Sequence, residues 1–166
     1  GVYNMLNIKI LCVGKIREKS LKDLISEYEK RISKYAKLEI IELEDEKIPQ
    51  NASSSIEEQV KSIESNKILD KLSKYNNASV ILLDLKGKQY TSEEFSEKID
   101  NIQTYSSSTI IFVIGGSLGM SKELLNYSSD KICFSKMTFP HQLIRLFLIE
   151  QIFRAFKILN NETYHK

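Results

Sequence analysis

Two runs in this chain, ASVILLDL (residues 78–85) and STIIFVIGG (residues 108–116), are apolar at nearly every position over the length of a strand. A strand that is apolar on both faces needs cover on both faces, which a parallel sheet between helical layers supplies. The rest of the chain agrees. LNIKILCVG (residues 6–14) is rich in β-branched residues and closes on Gly14; LEIIELE (38–44) and the short KICFS (131–135) also read as strands. Between them lie helical patterns. Leu21, Leu24, Ile25, Tyr28, Ile32 and Tyr35 recur at threes and fours. Serines 53–55 can cap a long helix over residues 56–72, with Glu57 and Glu58 in its first turn. Thr91 and Glu94 form a capping box for a helix ending near Gln103. SKELLNYS is a short helix, and Pro140 suits the first position of the last one. The order β-α-β-α-β-α-β-α-β-α predicts an α/β fold, a mostly parallel sheet with helices on both faces.

A length of 166 residues suits one domain with a sizeable core, over residues 5–166. Gly1, Val2, Tyr3 and Asn4 ahead of Met5 read as an expression remnant or a start-site ambiguity, outside the fold. No charged region followed by an apolar core marks a signal peptide, and charges interrupt the longest apolar run, so a cytoplasmic protein without a membrane span is expected. Cys12 and Cys133 sit in apolar strands and read as small buried hydrophobes rather than ligands or a disulfide. The net charge is only +2, but residues 90–130 carry six acids against two lysines while residues 131–166 carry six basic residues against two acids. Such segregation can guide a polyanion, although a solvated face explains it as well.

In sheets of this kind ligands sit beyond the carboxyl ends of the strands. That rim carries residues 83–87, 114–117 and 134–138. In IGGSLGMSKE, Gly115 and Gly116 let backbone approach a ligand, and Gly119 permits a tight turn. The spacing is not G-x-G-x-x-G, the segment is not in the first βα unit, and no acid follows about 20 residues on, so a nicotinamide cofactor is disfavoured. FSKMTFPHQ combines main-chain donors and acceptors, the hydroxyls of Ser135 and Thr138, and the apolar Met137 and Phe139, the two kinds of partner a planar heterocycle needs. His141 by itself reads equally as a cap or a core imidazole.

The last helix is apolar on nearly every side. At about 100° per residue, His141 and Arg145 lie on one side and Glu150, Arg154 and Lys157 roughly opposite, with apolar side chains in the sectors between. Such a helix is either the centre of the monomer or a shared interface, and a homodimer is the expectation. The tail NETYHK ends on an aromatic, an imidazole and a cation (Tyr164, His165 and Lys166), which could stack on a base, take a proton and meet a phosphate. A frayed, idle terminus is the alternative.

Together IKILCVGKIRE, YEKRI, LLDLKGK, FVIGGSLG, FSKMTFPHQLIR, EQIFRAFKI and the terminal YHK resemble the RlmH family, SPOUT-class methyltransferases of the ribosomal large subunit. The likeness runs in the same order from Met5 to Lys166, with departures in residues 51–77. It implies a SPOUT-type trefoil knot near the C-terminus, against the general rule that chains do not thread loops. It also implies a homodimer formed through the knot and a bent S-adenosylmethionine (SAM) bound in it. The implied cofactor residues are Leu83, Gly116, Ser135, Lys136, Met137, Thr138, Phe139 and Pro140. The implied substrate is a pseudouridine of 23S ribosomal RNA, methylated at N3 in the assembled ribosome.

For that reaction the expected proton handlers are His165 and Tyr164, with His141 as the alternative. Arg145 and Arg154 would orient phosphate or the target base, and Lys136 and Lys166 would add RNA contacts. The sulfonium leaves as a neutral thioether, so no metal is expected. A non-catalytic ribosome-binding factor and a Rossmann-like domain for another nucleotide are the competing readings.

Overall fold

The computed structural model describes residues 5–165; the first four residues and Lys166, with the RNA contact expected of that lysine, lie outside the described residues. Ten elements alternate: β1 (Leu6–Val13), α1 (Lys19–Ile32), β2 (Ala36–Leu43), α2 (Ser54–Leu72), β3 (Ser79–Gln89), α3 (Ser92–Tyr105), β4 (Thr109–Ile114), α4 (Lys122–Leu125), β5 (Lys131–Cys133) and α5 (His141–Leu159). The strands form one sheet in the order β2-β1-β4-β3-β5, and every pairing is parallel. The expected α/β architecture is therefore present. The Ser53 hydroxyl accepts from the Ile56 amide to cap α2, and Thr91 and Glu94 close the capping box of α3 in both directions.

Successive strand residues point to opposite faces, so each strand feeds two cores. Ile8, Ile10, Cys12, Ile110 and Phe112 meet α1, α3 and α5 on one face. Leu11, Val13, Leu82, Ile111 and Val113 meet α2 and α4 on the other. Both cysteines are buried, as expected, and burial pushes the Cys12 thiol up to about 11. Helix α5 lies between α1 and α3, with Leu148, Ile149 and Ile152 fully buried and Phe156 stacked on Tyr35 at 5.4 Å. It is thus a core helix of its own chain along one side. Its other side leaves Leu143 and Phe147 more than a third exposed. Pro140 takes the N-cap rather than the first helical position, because its ψ of 137° is extended. Among the described residues no helix is long and apolar enough to cross a membrane.

The largest departure from the sequence pattern is at β3. The expected turn at residues 86–88 does not end the strand. Leu83 pairs with Ile132, and the pairing resumes with Lys88 opposite the same Ile132 and Gln89 opposite Cys133. The four residues between swing out of register as a large bulge. Gly87 makes the return possible: a Cβ there would lie 2.6–2.8 Å from the backbone of Ile132. This close approach fixes the edge strand β5 and turns Asp84 and Leu85 toward the carboxyl rim. Gly87→Ala forces that backbone apart and is expected to cost about 1–3 kcal/mol, the range for overpacking a filled site. Urea unfolding of the two proteins measures it.

Candidate functional site

The carboxyl ends of β3, β4 and β5 open onto one cavity of about 520 Å³. Leu83, Asp84 and Leu85 line it from the β3 bulge, Gly115, Gly116, Ser117, Gly119 and Met120 from the turn after β4, and residues 132–135 and 137–141 from β5 and its loop. Gly119 has φ +86°, the left-handed conformation that glycine tolerates, and its amide closes the turn onto the Gly116 carbonyl at 3.0 Å. The loop after β5 is stiffened locally. The Cys133 thiol donates to the Ser135 carbonyl at 2.9 Å, and the Met137 amide donates to the Ser135 hydroxyl at 3.0 Å. Leu83, Gly116, Ser135, Met137, Thr138, Phe139 and Pro140 all line this cavity. Lys136 is the exception: it is exposed and is not part of the wall.

His141 lines the same cavity from the start of α5. Burial, assisted by the nearby Arg145 guanidinium, holds its imidazole below the ordinary value. Its Nε2 packs near Gly14, whose φ of +91° turns the chain sharply at the end of β1. Arg145 is 2% exposed and donates to Glu42 at 2.5 Å and to the Gly14 carbonyl at 3.1 Å. It braces the end of β1 behind His141. Its Nε has no partner among the described residues, so the fork is only partly satisfied.

The terminal residues gather elsewhere. Tyr164 donates to Glu150 at 3.1 Å, lies 3.5 Å from the Tyr28 hydroxyl and packs edge-on against Phe153. Burial, then the contacts with Tyr28 and Glu150, push its hydroxyl well above the usual phenol range. Arg154 sits over the Tyr164 ring, pairs with Glu150 at 2.6 Å, and donates to His165 Nδ1 at 3.0 Å. A guanidinium only donates, so Nδ1 accepts, and the ring hydrogen on Nε2 goes to Glu93 at 2.5 Å. Tyr28 and Glu150 line a second cavity of about 560 Å³, with Tyr90, Phe95, Phe139 and Phe147. The two cavities share the wall of Ile132, Cys133, Phe134, Ser135 and Phe139. Arg145 and Arg154 thus face opposite sides of α5, as their spacing indicated. The structure brings His141 to the first cavity and Tyr164, His165 and Arg154 to the flank of the second.

Sequence reasoning missed the partners of both arginines and one buried acid. Glu42, which holds Arg145, carries no local signal, whereas Glu150 stands four residues ahead of Arg154 on the same helix. Glu64 carries a signal too: it follows Val60 and precedes Ile68 at steps of four, an acid on an apolar helical stripe. In the fold it is buried against Gly116. The basic excess of residues 131–166 is also smaller than its formal count suggests, because Arg145 is paired with Glu42 from outside the segment; Glu150 and Glu162, which pair with Arg154 and Lys157, are already in that count.

Comparison with known proteins follows this geometry. Residues 6–165 match the family described as "Predicted SPOUT methyltransferase". Over 161 residues, 97% of this chain, it is 55% identical to the whole of ribosomal RNA large subunit methyltransferase H 1 of Clostridium perfringens (strain SM101). Over the same share it is 56% identical to the whole of ribosomal RNA large subunit methyltransferase H of Clostridium botulinum (strain Hall). A solved structure, titled a probable methylase family protein from Haemophilus influenzae Rd KW20, superposes with a TM-score of 0.54 at 13% identity, over 96% of this chain and 70% of that one. That likeness concerns the fold alone. Rim cavity, parallel sheet and full-length identity lead to one assignment: the chain belongs to the SPOUT methyltransferase family.

Proposed function

We propose that this chain is a SAM-dependent methyltransferase that methylates N3 of a pseudouridine in 23S ribosomal RNA, acts on assembled ribosomes in the cytoplasm, and works as a homodimer. The observation that carries the reading is the convergence of three carboxyl-end loops on one cavity, two of them with the backbone amides, hydroxyls and apolar side chains that an adenosyl group requires. Leu83, Gly116 and residues 135–140 would hold SAM, Lys136 through its main chain. The reading includes a trefoil knot in the segment that carries this loop, and RNA contacts from Lys136 and Lys166 outside the cavity.

Bound there, SAM supplies an electrophilic methyl group on a sulfonium that departs as a neutral thioether. The protein's part is then alignment of the acceptor and removal of one proton. His141 is the imidazole on the cavity wall, and its lowered affinity for protons keeps a ring nitrogen free to accept one. Tyr164, held protonated, suits a hydrogen bond to the base rather than proton removal. His165 is engaged on both nitrogens by Arg154 and Glu93, and acts as a base only after leaving one of them. Because the tail flanks the second cavity, its action on the first wall calls for a second copy. The half-exposed Leu24 and Phe147, lining the second cavity beside Phe139, form an apolar face that such a copy would cover.

Calorimetry is expected to detect binding of SAM and none of NAD; the reverse favours the other nucleotide-binding reading. Radiolabelled methyl from SAM should enter intact ribosomes and not naked RNA, and its absence would leave a passive ribosome-binding factor. Deleting residues 164–166 is expected to lower that incorporation by about 100-fold, the scale of a lost proton handler. Phe147→Asp should convert a dimer to a monomer in light scattering. NMR titration of His141 should give a midpoint below the ordinary 6.5. The sign for stability follows. The unfolded chain takes the proton first, so His141 contributes stability above its ordinary value that is lost as pH falls below it.

A further inference from the structure

Two carboxylates stand against the first cavity without a role in the reading above. Asp84 lines it from the β3 bulge, and its Oδ2 accepts from the Lys86 amide at 3.1 Å, which fixes the carboxylate at the rim. Glu64 reaches the same wall from behind. It is 5% exposed, and its Oε1 lies 2.5 Å from the place a Cβ on Gly116 would take. The carboxylate thus fills the space of the side chain that this glycine lacks. Its other oxygen accepts from the Glu46 amide at 3.0 Å. The neighbouring Ser65 hydroxyl accepts from the Ser121 amide at 2.9 Å, so consecutive residues of α2 grip both ends of the glycine turn. No lysine or arginine lines the cavity among the described residues.

We infer that Asp84 and Glu64 set the charge preference of this cavity, favouring a cationic sulfonium donor over the neutral thioether product. The inference rests on the SAM reading given above. Donor and product share the adenosyl and amino-acid parts and differ by one methyl group and one positive charge. Main-chain hydrogen bonds and apolar contacts to the shared parts treat the two alike. A carboxylate does not, and in a cavity partly shielded from water its attraction for a cation exceeds that in bulk solvent. Burial holds the Glu64 carboxyl above the usual carboxylate range. A cation arriving beside Gly116 stabilises the ionised form and gains from doing so. Transfer of the methyl group discharges the sulfonium, removes this attraction, and loosens the product at the step where many enzymes are slow.

The test is calorimetry of the full-length protein with SAM and with S-adenosylhomocysteine, for the wild type, Asp84→Asn and Glu64→Gln. Each substitution removes charge while keeping shape. SAM affinity is expected to fall about tenfold in each variant, while S-adenosylhomocysteine affinity changes by less than about twofold. Equal losses for both ligands would show that the carboxylates only shape the wall, and no loss for SAM would show that they are idle; either result overturns the inference and leaves the cofactor reading intact. A wild type that binds neither ligand overturns both. If Glu64→Gln unfolds, as its thermal melt would reveal, Asp84→Asn carries the same comparison at the rim.

Discussion

The close approach of β3 to β5 is the constraint on which the rim depends. β5 has only three residues and pairs with one neighbour, so its position depends on its pairing with β3 on both sides of the bulge, which the close approach of Gly87 to the Ile132 backbone permits. That contact holds two registers at once, and the residues between them have nowhere to go but outward. The same short strand and the loop after it form the wall between the two cavities. A side chain at position 87 would therefore disturb more than a turn. It would shift the partition that separates the glycine-lined cavity from the aromatic one.

Electrostatics on the two sides of that partition follow one rule: each arginine of α5 is met by a glutamate from within the chain. Arg145 is satisfied by Glu42 and the end of β1, Arg154 by Glu150 and the tail. Arg145 is nearly fully buried, so losing Glu42 would leave its charge without that partner, whereas the Arg154–Glu150 pair stays partly open to solvent. Arg145 thus sits near His141 on one side, and Arg154 touches Tyr164 and His165 on the other. Glu64 is the counterexample. Its partner is a backbone amide, its remaining oxygen faces a glycine, and no cation lies as close to it as Glu42 lies to Arg145 among the described residues.

Much of this was legible in the sequence, and for identifiable reasons. Strands such as residues 108–114 declare double-sided burial by composition alone, and the caps at Ser53 and Thr91 are local chemistry. The loop after β5 could be picked out as a cavity wall because its signal is contiguous: hydroxyls, apolar residues and proline in one short run. What could not be read depends on contacts between distant residues. The extension of β3 through Lys88 and Gln89 requires their partners Ile132 and Cys133, each 44 positions beyond, to be at hand. The burial of Arg145 requires Glu42, 103 residues away. No local pattern announces an ion pair between residues so far apart.

The division of polar groups between the two cavities bears on how a methyl transfer could be organised. Within one chain the glycine turn, the loop 134–140 and His141 face one side of the β5 wall, while Tyr164, His165 and Arg154 cluster with Glu150 on the other. An acceptor must lie in line with the donor, so a tail confined to its own flank acts only on an acceptor that spans the wall. The proposed homodimer, if paired through the aromatic face, would set the flank of one copy beside the rim of the other and remove that difficulty without moving the tail off α5. It would also cover Leu24 and Phe147, which a lone chain leaves in water at a cost of about 25 cal/mol for each Å² of apolar surface. In the proposed dimer, the contact that buries the apolar face would also bring the tail to the rim cavity, and α5, the most apolar helix, would serve both.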